Sequence, residues 1–172
     1  MLIRLSKLAM VAAVAALFSV VAFGNITDYG TNYAFVQHVM SMDTLFPTTT
    51  ITYRAITDPA LHRAAYALII ATEGITAALC WVGALILLLR CRGPAPAFNR
   101  GKTVAIAGLV LGSLLYQFGF IVIGAEWFGM WMSQQWNGVS SAFRYLTIIM
   151  LVLLFVIMPD GEVEAPKERH QA

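Results

Sequence analysis

Four strongly apolar stretches, each close to the length of a bilayer crossing, run Leu8–Phe23, Ala65–Leu89, Thr103–Ile123 and Ala142–Met158. A backbone in hydrocarbon can satisfy its N–H and C=O groups only inside a helix or a closed barrel. Continuous apolar runs without alternation select the helix, which crosses with about 20 residues at 1.5 Å each. The expected fold is an all-α membrane protein, a four-transmembrane-helix bundle with spans near 8–24, 60–90, 103–124 and 140–158 in one membrane domain, 1–158. Composition agrees: 59% of the 172 residues are hydrophobic and only 12% charged, against roughly 25% charged in soluble domains. The net charge of +2 is small and dispersed, which argues against nucleic acid as a partner.

Lysine and arginine set the threading, because short basic loops stay cytoplasmic. Arg4, Lys7, Arg90, Arg92, Arg100, Lys102, Lys167 and Arg169 fall on one side, against Arg54, Arg63 and Arg144 on the other. Both termini are expected in the cytoplasm. Loops 25–59 and 125–139 then face outward as an outer cap, and 159–172 forms a disordered cytoplasmic tail. The setting is a multi-pass membrane protein. Arg4 and Lys7, the apolar run behind them, and Ala22 with Gly24 also fit a cleavable leader. Ala9, Ala12, Ala16 and Ser19, at helical spacing, offer a stripe for close helix contact, and the segment is read as a retained span. Cys80 and Cys91 lie eleven residues apart on one helix, about 16 Å and beyond disulfide reach.

Within the first external loop, Phe35, Val36, Val39 and Met40 share one helical face, as in a short helix lying at the membrane surface. Thr48–Tyr53, β-branched after Pro47, is expected to be extended. Asp58 and Pro59 form a helix start, N-cap followed by proline at the first helical position. Gly93-Pro94-Ala-Pro96 breaks the chain into a turn. The third stretch carries Ala105, Gly112 and Gly119 at heptad spacing, with Gly108 completing Gly-x-x-x-Gly, a face suited to close helix approach. One more heptad step lands on Glu126.

Several local patterns are specific: Asn-Ile-Thr-Asp-Tyr-Gly from Asn25, Phe-Val-Gln-His-Val from Phe35, Ser-Met-Asp-Thr from Ser41, Ala-Phe-Asn-Arg from Ala97, Gly-Ala-Glu-Trp-Phe-x-Met-Trp from Gly124 and Gln-x-Trp-Asn-Gly from Gln134. Together, over Leu8 to Met158, they resemble the bacterial predicted small integral membrane protein family, the domain of unknown function numbered 2165. The resemblance implies a four-span bacterial inner-membrane protein. It brings no activity and no site residue with it.

Glu73 is the first candidate for chemistry. It lies eight to ten residues into the second stretch, about 12–15 Å below the outer surface. An acid near a helix centre costs roughly 2.5–3.5 kcal/mol to insert, so it should face the bundle interior. Tyr66, Thr76, Cys80 and Gly83 share its face. Two roles fit: a hydrogen-bonded acid that locks helix packing, or a ligand or proton site. Glu126 and Arg144 are expected at the external ends of spans three and four, within reach of a salt bridge.

His38 and His62, with Asp43 and Asp58 near in sequence, raise a metal. A site needs at least three convergent ligands, and the spacing supplies no such motif. No histidine lies within the four apolar stretches, which disfavours intramembrane bis-His haem. Neither metal nor cofactor is expected. Trp127, Trp131 and Trp136, mixed with Gln134, Gln135 and Asn137, fit an interfacial belt or a binding surface. Asn25, Asp28 and Tyr29 complete the external candidates.

The function expected is that of a non-enzymatic accessory or binding subunit whose external face contacts a partner membrane or envelope protein. One alternative is a small-ligand or proton-coupled transporter or sensor using Glu73 and the external aromatic loop. Another is a lipid- or quinone-directed membrane enzyme, the weakest because no nucleophile–base pair is visible. The lipid bilayer is a partner in every case, and a homo-oligomer fits any of them.

Overall fold

The four apolar stretches become the four long helices of the computed structural model, which describes residues 1–163. Helix α1 is Leu2–Thr27, α2 Tyr29–Ser41, α3 Pro59–Arg90, α4 Ala95–Gly101, α5 Thr103–Leu114 and α6 Val139–Ile157. Single 3₁₀ turns cover Ile51–Arg54 and Met130–Met132. Among the described residues no strand occurs, and four helices are long and apolar enough to cross a membrane. They pack as a ring in chain order: α1 on α3, α3 on α5, α5 on α6, and α6 back on α1. One end of the ring gathers the N-terminus, the α3–α4 turn and the residues after α6. The other gathers α2 and the two long loops.

Local chemistry explains the boundaries. Asp58 Oδ1 accepts a hydrogen bond from Ala60 N at 2.7 Å, with Pro59 opening the helix, as the sequence predicts for α3. Helix α2 ends on Met42 in the left-handed region, φ 53°. The stretch expected to be extended, 48–53, instead turns into the 3₁₀ helix Ile51–Arg54. Its strand propensity has no neighbouring strand to pair with, so the fold overrides it.

Close approach of α3 and α5 depends on the absence of side chains. A Cβ on Gly83 would lie 2.6 Å from the Ala105 backbone, and one on Gly108 would lie 2.8 Å from Cys80 Sγ. A Cβ on Gly112 would strike the Phe18 ring at 2.7 Å. The Gly-x-x-x-Gly face thus meets α3, with α1 filling in through Phe18. The heptad does not continue. From Leu115 to Trp127 the helix widens into a π segment with i→i−5 hydrogen bonding, closed by Phe128 N to Ile123 O at 3.0 Å. The extra residue per turn rotates Gly119 and Glu126 off the contact face, and Glu126 is exposed. The small stripe expected on α1 is also misplaced. Ala9 and Ala16 are exposed, and the buried face is Arg4, Lys7, Val11, Val14, Ala15, Phe18 and Ala22.

Two basic residues head that buried face, and they are part of a polar knot. Arg4 donates to Cys91 O at 3.1 Å, Gly93 O at 2.6 Å and Gly161 O at 2.7 Å, with its guanidinium 4.8 Å from the Phe98 ring centroid. Lys7 and Lys102 both pair with Asp160 Oδ2 and both donate to Met158 O. Asn99 donates through Nδ2 to Asp160 O at 2.9 Å and accepts from Asp160 N at 3.0 Å. Arg4, Lys7 and Lys102 are 1–3% exposed, and the Asp160 side chain is 4% exposed. Residues 159–163, expected to belong to a disordered tail, are therefore docked at their start by satisfied hydrogen bonds. Residues 164–172 of that tail lie outside the described residues.

Burial pushes the Asp160 carboxyl up, but hydrogen bonds and charge from Lys102 and Lys7 outweigh this and hold it below its ordinary 3.8. A depressed carboxyl stabilises the fold above its unfolded pKa and loses that contribution as pH falls through the folded value. Asp160→Asn should cost about 3–5 kcal/mol by leaving two buried lysines without their anion. The variant should also flatten the fall in thermal stability expected in detergent as pH drops below the ordinary carboxyl range. Gly83→Ala should lower folded stability by about 1–3 kcal/mol through overpacking. Gly74→Ala, with nothing within 4 Å of the added Cβ, should not, and paired melting curves check the contrast.

Candidate functional site

Near the loop end Glu73 is 2% exposed in the bundle interior. The α1 helix reaches it through Asn25, whose Nδ2 donates to Glu73 Oε2 at 2.8 Å. Tyr66, two turns earlier on α3, donates from its hydroxyl to Asn25 O at 2.8 Å. Asn25 is thus held through both side chain and backbone, and α1 is keyed to α3 at this depth. Thr76, Cys80 and Gly83 share the buried face of Glu73 as expected. Thr76 Oγ1 is buried without a partner among the described residues.

Glu73 lines a polar chamber of about 300 Å³ with Asn25, Asn32, Tyr66, Tyr116, Asn137, Ser141 and Tyr145. Tyr116 stands at the start of the π segment and packs on Tyr145 of α6 with ring centroids 5.1 Å apart. Among the described residues neither hydroxyl is hydrogen-bonded. An adjoining apolar cavity of about 440 Å³ is lined by residues including Val39, Met40, Ala65, Gly119, Ile123 and Trp127. Phe35, Val36, Ile69 and Phe120 line both. Both volumes fall in the range of small-molecule sites.

The remaining sequence candidates divide. Asn137 lines the polar chamber, its Nδ2 donating to Trp131 O and its Oδ1 accepting from Val139 N. Tyr29 packs edge-on to Tyr66 at 4.8 Å. Asp28 is exposed at the bend between α1 and α2. The tryptophans clamp one loop to the other. Arg54 stacks on Trp127 at 4.9 Å, Phe46 meets Trp131 at 6.1 Å, and His38 lies parallel to Trp136 at 4.6 Å. His38 Nδ1 is 2.8 Å from Asp43 Oδ2, and His62 Nε2 donates to Ile56 O at 2.6 Å.

The expected Glu126–Arg144 salt bridge is not formed. Both residues are exposed. Arg144 donates to Ser140 O and Ser141 Oγ on its own helix. The π segment turns Glu126 away from α6, so proximity in the loop does not become contact. Tyr116, Phe120, Ser141 and Tyr145 were not singled out from sequence. A tyrosine inside an apolar run was the available signal, since its hydroxyl needs a polar neighbour.

Asn25→Ala should destabilise the protein by about 0.6–2 kcal/mol, the scale of an intramembrane hydrogen bond. Combined with Glu73→Leu it should cost less than the two single effects summed, because they remove one interaction. A double-mutant cycle of detergent melting temperatures measures this.

No curated protein matches the chain, and no solved structure matches it. A family model described as predicted small integral membrane protein, DUF2165, matches residues 3–159, which takes in the four long helices except Leu2. The chain belongs to that family.

Proposed function

We propose that this integral membrane protein is a non-enzymatic binding protein that holds a small ligand at its loop end, with Glu73 as the polar anchor. The carrying observation is a buried carboxyl group on the wall of a chamber whose other polar groups include two tyrosine hydroxyls with no partner among the described residues. An acid whose only task was to lock α1 to α3 would need Asn25 alone. The loops that clamp to one another through Trp127, Trp131 and Trp136 then act as a cover, and a transporter or sensor is the broader class. Threading by the basic residues puts both termini in the cytoplasm of a bacterial cell and this end outside.

Native mass spectrometry of the full-length protein from mild detergent tests the reading. A bound species should be released from wild type and be absent from a folded Glu73→Gln variant. Equal occupancy in both would sink the role of Glu73. Topology reporters should read cytoplasmic within 94–99 and external within 48–50, and the reverse result would move the site to the cytoplasmic side.

A second reading is docking of a partner membrane or envelope protein on the same end. It is favoured by exposed aromatics there, with Trp127 52%, Trp131 48% and Tyr53 78% exposed. Crosslinking from Tyr53 in membranes should then give one discrete adduct, heterologous or a second copy of the chain.

A further inference from the structure

The two chambers share a wall but differ in character, the larger almost wholly apolar and the smaller mixed. The larger has an apolar lining that includes Phe35, Phe120, Trp127 and Phe128. The smaller carries Glu73, Asn25 and the Tyr116 and Tyr145 hydroxyls. Among the described residues that line either chamber, none is lysine, arginine or histidine. Arg144 touches Ser141 from the exposed face of α6 and is not part of the lining. Asn25 occupies one carboxylate oxygen of Glu73, Oε2, and Oε1 has no hydrogen bond among the described residues. Tyrosine hydroxyls both donate and accept, whereas a carboxylate only accepts. A head group here meets hydrogen-bonding oxygens and adaptable hydroxyls, and no cationic side chain. An anionic head would be desolvated with no lining cation to offset its charge, in surroundings where screening is weak.

Resting on the ligand-binding reading above, we propose that the joined chambers take a single amphiphile with a hydroxyl or amine head and a hydrocarbon body, and reject carboxylate and phosphate heads. The head sits between Glu73, Tyr116 and Tyr145, and the body extends past Phe35 and Phe120 into the apolar chamber beside Trp127. Phe35 is well placed as the divider. It lies on α2, and a Cβ on Gly138 would come within 2.8 Å of its ring, so the glycine leaves room for the ring against the second loop.

Trp127 supplies the readout. Full-length protein in detergent is titrated with a terminally brominated alkyl alcohol, alkylamine and alkyl carboxylate of equal length, and tryptophan quenching is followed. Alcohol and amine should quench saturably, and the carboxylate should require at least about tenfold more. Glu73→Gln should remove the advantage of the amine over the carboxylate. Ala65→Phe, which fills the apolar chamber, should abolish saturable quenching by all three. Should that variant fold poorly, Gly119→Val serves in its place, because a Cβ there meets only Leu115 Cδ1, at 3.7 Å. Carboxylate binding as tight as amine binding, or a preference that survives Glu73→Gln, overturns the head-group assignment while leaving a ligand site intact. Saturable quenching that survives the filled chamber overturns the placement of the body. No saturable quenching by any probe removes this inference, and a wild-type adduct in mass spectrometry would then separate it from the broader reading.

Discussion

Asp160 is the point on which one end of the bundle depends. It answers Lys7 from α1 and Lys102 from the α4–α5 junction, while Asn99 holds its backbone. The same two lysines and Arg4 donate to Met158 O, Cys91 O and Gly93 O, carbonyls at or just past the ends of α6 and α3. Helix C-termini carry unpaired carbonyls and partial negative charge. Three cations against one carboxylate would be a poor arrangement in isolation. The carbonyls supply the missing counter-charge, and the rings of Phe98 and Phe155 lie within 5.5 Å of the lysines.

The consequence for α1 reaches the candidate site. An amphipathic stripe of aliphatic residues permits a helix to slide or rotate in a bundle. Helix α1 is instead tied at both ends, by Arg4 and Lys7 near its start and by Asn25 near its finish. Two polar ties about twenty residues apart leave one rotation and one depth that satisfy both. That setting places Phe18 over Gly112 and Asn25 beside Glu73. Glu73 therefore contributes to packing as well as lining a chamber.

Span number, the Asp58–Pro59 start and the buried face of Glu73 were legible in the sequence because each follows from local rules: hydropathy, capping and the cost of an acid in hydrocarbon. The polar knot was not. Arg4, Lys7 and Lys102 have the positions that the threading rule assigns to cytoplasmic flanks, and that rule treats them as solvated charges. Nothing local in Pro159-Asp160-Gly161 marks Asp160 as their partner, since the contact spans more than 150 residues to Lys7. The Glu126–Arg144 expectation failed for a related reason. It rested on the external ends of spans three and four being held together by a short loop, which does not decide where a side chain points; the helix widens into a π segment over Leu115–Trp127, and both Glu126 and Arg144 are exposed.

The π segment also accounts for where the cavities lie. Up to Gly112, α5 approaches α3 so closely that Gly83, Gly108 and Gly112 cannot accept a methyl group without displacement. Tyr116, Gly119, Phe120, Ile123 and Gly124, all within the wider helix, line one chamber or the other. π-helical turns are rare and are found frequently at functional sites. Here it converts a glycine-packed interface into an open one over a single turn, and aims Tyr116 toward Tyr145 and the Glu73 chamber. The bundle is tight where the polar knot holds it and open where the loops cover it. An interior acid at the open end has room to meet something other than its own helix partners.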